Sequence, residues 1–401
     1  MNKLPSDWQI KTINEVCNIY TGNSINKKKK EENFIGLKEG LNYIGTKDIS
    51  FNNIIEYENG VKIPFKDLKD FKIAKSNTSL LCIEGGSAGR KIGFTNQDVC
   101  FGNKLCCFEA IEDEPKFIYF YLQSNDFLRE FNSNIQGLIG GVNKENLRKI
   151  KIPIPPLDEQ KRIASALSKI DAYLENTIKL IEEKERFKRG IAKKLLTCKE
   201  GENIPEARFK GFEDEWEIVK LGDMFDNFKE KNNEDKIILA STIDKGVIPN
   251  SLTERKIIRK KESLSNYKLV KKGCFVISLM SFQSGFEYSD YEGIISPAYT
   301  VLKPKIEMAH YFYKYYFKSF KFIKDLRPYA EGIRHGKQIK FKACKDILVP
   351  YPSIEEQEKI GGYLSLLDEE IDNLKKQKEL IKEMKRGAMQ KLLSGEVRLL
   401  E

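Results

Sequence analysis

Four short loops carry the side chains best suited to meet a ligand: SAGRK from Ser87, QGLIGGVNK from Gln136, MSFQSG from Met280 and EGIRHGKQ from Glu331. Their glycines let backbone approach another surface closely, and Arg, Lys, Asn, Gln and Ser are the residues that reach base edges and phosphates. The candidate DNA contacts are therefore Ser87, Arg90, Lys91, Asn143 and Lys144 in the first half of the chain, and Ser281, Gln283, Ser284, Arg334, His335 and Lys337 in the second. Glycine with polar residues is also ordinary turn chemistry, and that reading stays open loop by loop. The run Lys27 to Lys30, and the cluster Arg255, Arg259, Lys260 and Lys261, read first as solvated faces that can also hold phosphates.

Catalytic tools are missing from the same inventory. There is no GxxxxGK[ST] phosphate loop, no zinc spacing, no GxSxG elbow and no adenine-methylation motif of the Asn-Pro-Pro-Tyr type. GIRHGK at Gly332 is one residue short of a phosphate loop and lacks the following Ser or Thr. His310 and His335 are the only histidines, so acid-base chemistry would fall to carboxylates alone. The eight cysteines include no CxxC pair and read as reduced, mostly buried apolar residues. No metal site and no catalytic residue is expected.

With 401 residues, the chain has room for two or more cores. Hydrophobic residues make up 40% and charged residues 32%, and 69 Lys and Arg against 59 Asp and Glu leave a net charge of +10, which suits a polyanionic partner. No window approaches the apolar length of about 18 residues needed to span a membrane, and MNKLPSDWQI lacks a signal-peptide core. A cytoplasmic protein is expected.

The elements that must position the loops come from an internal repeat. A shift of 197, from Ile152 to Val349, lays IPIPPLDEQKRIASALSKIDAYLE on its second copy without a gap. Pro153 meets Pro350, Glu159-Gln160 meets Glu356-Gln357, Asp171 meets Asp368, and KRGIAKKLLT from Lys188 meets KRGAMQKLLS from Lys385. Upstream, DWQIKTI around Trp8 answers EWEIVKL around Trp216, and FIYFYLQS from Phe117 answers FYKYYFKS from Phe312. The chain is a tandem duplication, each unit a variable domain of about 150 residues followed by a helical segment.

In those segments Ile163, Leu167, Ile170, Leu174, Thr177 and Ile181, and again Ile360, Leu364, Leu367, Ile371 and Leu374, alternate steps of four and three, the seam of a coiled coil. Each helix starts after a proline-rich stretch that cannot be helical, has Asp158 or Glu355 in its first turn, and runs for about 37 residues, or roughly 55 Å. Only a short linker follows the first helix, so it must point from the first domain towards the second. By the symmetry of the repeat the second helix points back. The expected architecture is α+β, with two small mixed α/β domains at opposite ends of a long antiparallel two-helix coiled coil. The bounds are residues 1–151 for the first domain and 152–197 for its helix. The second domain takes 198–348, with a linker at 198–211, and the second helix 349–401.

Within the first domain, NYIGTKDI from Asn42, SLLCIE from Ser79, KIGF from Lys91 and KLCCFEA from Lys104 read as strands, and FIYFYLQSNDFLREF after Pro115 as one helix. GCFVISLM from Gly273, SPAYTVLKP from Ser296 and the helix from Tyr311 to Leu326 repeat that order. Tyr119, Phe120, Tyr315 and Phe317 have the spacing of core residues rather than of base-stacking platforms.

Leu157-Asp158-Glu159-Gln160 after proline, leading into a long heptad helix and duplicated after a variable domain, resembles the specificity subunits of Type I restriction-modification enzymes. The early tryptophans, NYIGTKDI and the stretch from Leu279 to Val301 add to the likeness, which covers essentially the whole chain. The resemblance implies a DNA-binding, non-catalytic subunit whose two target recognition domains each read one half of a bipartite, asymmetric site in double-stranded DNA. It implies two methyltransferase subunits docked one per repeat, and motor-nuclease restriction subunits recruited to them. S-adenosylmethionine, ATP and magnesium are then expected on the partners and not on this chain. A coiled-coil adaptor that joins proteins without reading DNA is the rival.

Overall fold

The computed structural model describes residues 4–135, 140–253, 261–277, 285–331 and 338–400. It divides into two compact units, Met1–Ile178 with Gln377–Glu401, and Lys179–Lys376.

In the first unit most of the proline-rich stretch is extended, and only Pro155 and Pro156 form the link to the helix. Lys151–Ile154 is a strand, antiparallel to Gln9–Thr12, with Gln9 opposite Ile154 and Thr12 opposite Lys151. An edge position makes this possible, because a two-stranded ribbon leaves the missing proline N–H facing away from its partner. Next to the ribbon lies an antiparallel sheet in the order Cys17–Thr21, Leu105–Ala110, Ser79–Cys82, Ile92–Phe94. A further sheet runs Lys62–Ile63, Leu41–Ile44, Val99–Phe101, Ile73–Ala74, and its central pair is parallel. The expected single helix after Pro115 is two: α1 (Pro115–Tyr121) and α2 (Asn125–Ser133). Ser124 breaks it, because its hydroxyl accepts from the N–H of Phe127 and starts α2 as a new helix. Helix α3 (Lys144–Lys149) and the 40-residue α4 (Leu157–Leu196) follow.

The second unit repeats the plan. Glu217–Lys220 pairs with Leu348–Tyr351, and a four-stranded sheet runs Phe225–Phe228, Thr300–Pro304, Phe275–Ile277, Phe286–Tyr288. Its helix also splits, into α5 (His310–Tyr316) and α6 (Phe320–Leu326), where Ser319 caps Phe322 as Ser124 caps Phe127. The 40-residue α7 (Ile354–Leu393) closes the repeat. Forty residues make each long helix about 60 Å, slightly longer than the periodicity indicates.

The heptad seam does two jobs. In the first unit Ile163 and Leu167 of α4 share one core with Met389, Leu392 and Leu393 of α7, and that core continues into Trp8, Ile152, Phe117 and Phe120. In the second, Leu195 and Leu196 of α4 meet Ile360, Leu364 and Leu367 of α7 among Trp216, Phe312 and Val349. Ile371 and Ile181 are buried, while Ile170, Leu174 and Leu374 are half-buried. The helices thus pair with each other and dock on the domains through one apolar face. They run antiparallel within each unit: Asp171 pairs with Lys385 and Tyr173 with Gln377 in the first, Lys188 with Asp368 and Glu185 with Lys375 in the second. Gly361 is needed where α7 meets α5, since a Cβ there would stand 2.6 Å from the backbone nitrogen of Phe312.

All eight cysteines are unpaired, and seven are buried. Tyr119, Phe120 and Phe317 are core residues, and Tyr315 turns its hydroxyl 2.7 Å from Asp368.

Candidate nucleic-acid interface

The two candidate loops of the first unit meet. The N–H of Gly85 donates to Gly140 (2.8 Å), Glu84 bridges Gly141, and the N–H of Val142 donates to Ile83 (3.0 Å). Sequence positions some fifty residues apart are therefore brought together just past the end of the inner strand Ser79–Cys82. The carbonyl of Ser87 closes the first loop by accepting from Arg90 and Lys91, and Gly89 takes a positive φ of 71° where a side chain would press on Phe131. Arg90 is exposed and folds its guanidinium back onto the carbonyl of Gly86. Lys91 is half-buried and donates to the carbonyl of Thr46 (3.0 Å). In the second loop the Asn143 side chain caps α3, accepting from Asn146 (2.8 Å), so its oxygen has a structural role. Lys144 is exposed in the first turn of α3.

Ser281, Gln283, Ser284, Arg334, His335 and Lys337 lie outside the described residues, as do Arg255, Arg259 and Lys260. Lys27 to Lys30 open the helix Lys27–Asn33, where Lys27 faces Glu31 and Lys28 faces Glu32 at 3.9 Å. Exposed pairs of this kind contribute well under about 1 kcal/mol, which fits a solvated face.

Sequence reasoning missed Phe51. The ring is 63% exposed, at the tip of the turn between Ser50 and Ile54, and both cations of the first loop stand over it: Lys91 at 4.9 Å and Arg90 at 5.5 Å from the centroid. Its turn is tied down by Asn53, whose side-chain amide donates to Gln123 (2.8 Å), and Gln123 also accepts from Lys385 (3.1 Å). Lys385 in turn holds Asp171 at 2.7 Å, largely out of solvent. Burial raises the Asp171 carboxyl above its usual value, and the ammonium of Lys385 opposes that shift without cancelling it. Between the turn and the long helices lies a cavity of about 430 Å³, lined among others by Phe51, Asn53, Gln123, Asp171, Lys385 and Arg386.

The Glu-Gln of the repeated motif also has a role that its spacing did not reveal. Glu159 is buried; it accepts from the Trp8 indole (3.1 Å) and a two-pronged contact from Arg398 (2.7 Å each). Glu356 does the same for Trp216 (2.9 Å) and Arg208 (2.8 Å each). Gln160 accepts from the N–H of Glu114 and donates to the carbonyl of Pro155, and Gln357 does so with Ala309 and Pro352. Each dipeptide fastens the start of a long helix to the first strand, the proline strand and the short helix of its own unit. The two arginines occupy different sequence contexts, so alignment of the repeats does not find them. In the first unit Arg398 also grips Asp7, and Gly395 lies against Pro5 and Trp8, so the segment that follows α7 packs beside the residues that precede Gln9–Thr12.

Among the described residues no helix is long and apolar enough to cross a membrane, and no cluster of His, Cys, Asp or Glu is placed to hold a metal.

Comparison with known proteins follows the same duplication. The family model for the Type I restriction modification DNA specificity domain matches twice, over residues 5–183 and 213–383. The Type I restriction enzyme MjaVIII specificity subunit of Methanocaldococcus jannaschii is 26% identical over 99% of this chain and 94% of its own length. The putative MjaX specificity subunit of the same organism is 28% identical, over 64% of this chain and 62% of its own length, less than two thirds of that relative. The fold is similar to the crystal structure of a Type I restriction-modification S subunit from M. genitalium, with a TM-score of 0.60 at 17% identity over 98% of this chain and 97% of that one. A second structure, from work on complex assembly and conformational transition of the type I restriction-modification system, matches with a TM-score of 0.55 at 15% identity over 99% and 100%. The chain belongs to the Type I restriction-modification DNA specificity domain family and carries that domain twice in tandem.

Proposed function

We propose that this chain is the DNA-reading subunit of a Type I restriction-modification complex, each variable domain recognising one half of a bipartite, asymmetric site. The observation that carries the reading is the double match to the specificity domain, on units that share a scaffold but differ in their loops. Equal scaffolds suit two identical partners, and unequal loops suit two different half-sites. The long helices act as the spacer, since equivalent faces of duplex DNA recur about every 34 to 36 Å.

The same reading makes the chain non-catalytic and cytoplasmic. Two methyltransferase subunits dock on the repeated scaffold and restriction subunits join them. S-adenosylmethionine, ATP and magnesium sit on those partners. The net charge of +10 supports contact with a polyanion.

The test is selection from a pool of random-sequence duplexes by the full chain, purified with the subunits that accompany it. Two dissimilar short motifs at a fixed separation are expected among the bound molecules. Binding without any enriched motif would favour the protein adaptor and remove the reading.

A further inference from the structure

We propose that the two turn tips Phe51 and Ile243 are the apolar contacts through which the domains touch DNA bases, Phe51 in one half-site and Ile243 in the other. This rests on the DNA-reading function above and assigns it to particular side chains.

The two turns are built alike, although their sequences, DISFNNII and STIDKGVI, do not align by eye. Each opens on a hydroxyl residue that holds the turn's own backbone. Ser50 accepts from the N–H groups of Asn52 and Ile54 at 3.2 Å; Thr242 accepts from Lys245 (3.1 Å) and donates to Gly246 (2.9 Å). Directly after the hydroxyl comes a large apolar side chain in solvent, Phe51 at 63% and Ile243 at 66% exposure. Each turn is then moored by the residue just past the short helix. Gln123 takes the amide of Asn53, and Lys318, at the matching position in FYKYYFKS, donates to the carbonyl of Ile243 (2.8 Å). Lys318 is itself fixed on buried Glu287 at 2.6 Å.

Duplication has thus preserved a position, not a residue: an apolar side chain held out in water on a turn tied down by hydrogen bonds. Leaving a large apolar group exposed forfeits roughly 1.5 to 3 kcal/mol of burial, so an exposed apolar tip on a fixed turn has the form of a contact surface. In the first unit the chemistry of the surroundings says what it contacts. Arg90 and Lys91 stand over the ring and form no ion pair with any described residue, so two uncompensated cations sit beside one aromatic face. Phosphates take cations, while thymine methyls and exposed base steps take phenylalanine or isoleucine. The differing tips read differing half-sites.

Selection from the random duplex pool tests this with Phe51→Ala, Ile243→Ala and Phe65→Ala in the full chain. Phe65 is as exposed as Phe51 (63%) but lies in another turn, Phe65–Asp70. The expected result is that Phe51→Ala lowers affinity for the wild-type site by roughly tenfold and relaxes one or two positions of one half-site only. Ile243→Ala does the same in the other half, and Phe65→Ala changes nothing. If wild-type protein selects a motif but Phe51→Ala selects it equally well, or if Phe65→Ala relaxes it as much, the assignment of the tips is wrong while the function stands. If wild-type protein selects no motif, the function itself fails.

Discussion

Lys385 and Lys188 occupy equivalent places in the repeat and make equivalent contacts. Lys385 pairs with Asp171 and lies 5.6 Å over Phe120; Lys188 pairs with Asp368 and lies 5.0 Å over Tyr315. Removing one member of a largely buried pair leaves an uncompensated charge, which costs more than the pair itself contributes. Lys385→Met is therefore expected to destabilise the protein by about 2 to 4 kcal/mol, and Asp171→Asn by less, because burial already opposes ionisation of that carboxyl. The double variant should recover about 1 kcal/mol or more relative to the sum of the two. Urea unfolding measures all three. Lys184→Met, which breaks the exposed pair with Glu370, is expected to stay within about 1 kcal/mol of wild type; a loss as large as that of Lys385→Met would contradict the burial argument.

At the scale of elements, the long helices belong to the cores of both units and are the spacer of the proposed function. Their seam residues enter the domain cores at each helix end, with Ile170 packed against the first core, whereas between the ends Thr177, Ile181 and Ile371 are buried outside those cores and Leu174 and Leu374 are half-buried. Length is therefore best changed in the middle, between Leu174 and Ile181 and in the facing stretch of α7, away from the residues in the domain cores. Deleting one heptad from the middle of both helices keeps the seam in frame and shortens each by about 10 Å, or about three base pairs at ~3.4 Å per pair. Mapping methylated sites across the genome is expected to show both half-sequences unchanged and the gap between them shorter; altered half-sequences would count against the spacer role. These helices were the most legible part of the sequence, because alternating steps of four and three from Ile163 to Ile181 and from Ile360 to Leu374 favour a paired helix over one packed on its own domain alone. The split at Ser124 and Ser319 was less so: hydrophobic periodicity runs straight through both serines, and a single side-chain oxygen decides the break. Sequence alone marks the proline strands only as non-helical, since their pairing with Gln9–Thr12 and Glu217–Lys220 is non-local.

For the whole molecule, duplication explains why general organisation was readable and chemistry only partly so. Composition selected the two loops that carry Arg90, Lys91, Asn143 and Lys144, and the fold joins them past the end of the strand Ser79–Cys82. It gave no sign that Asn143 serves as a helix cap, nor that Phe51 lies under Arg90 and Lys91, because the turn that carries the ring comes from forty residues away. Phe51 and Ile243 share a place rather than a residue type, so only coordinates relate them. The central claim is that each variable domain reads its own half of one site, and the most direct measurement is a domain exchange. Residues 1–150 are replaced by those of another specificity subunit of known target, and the methylated sites of the resulting strain are mapped. The expected outcome is a hybrid site, with one half taken from the donor and the other half and the spacing unchanged. A site changed in both halves, or not changed at all, would contradict the account.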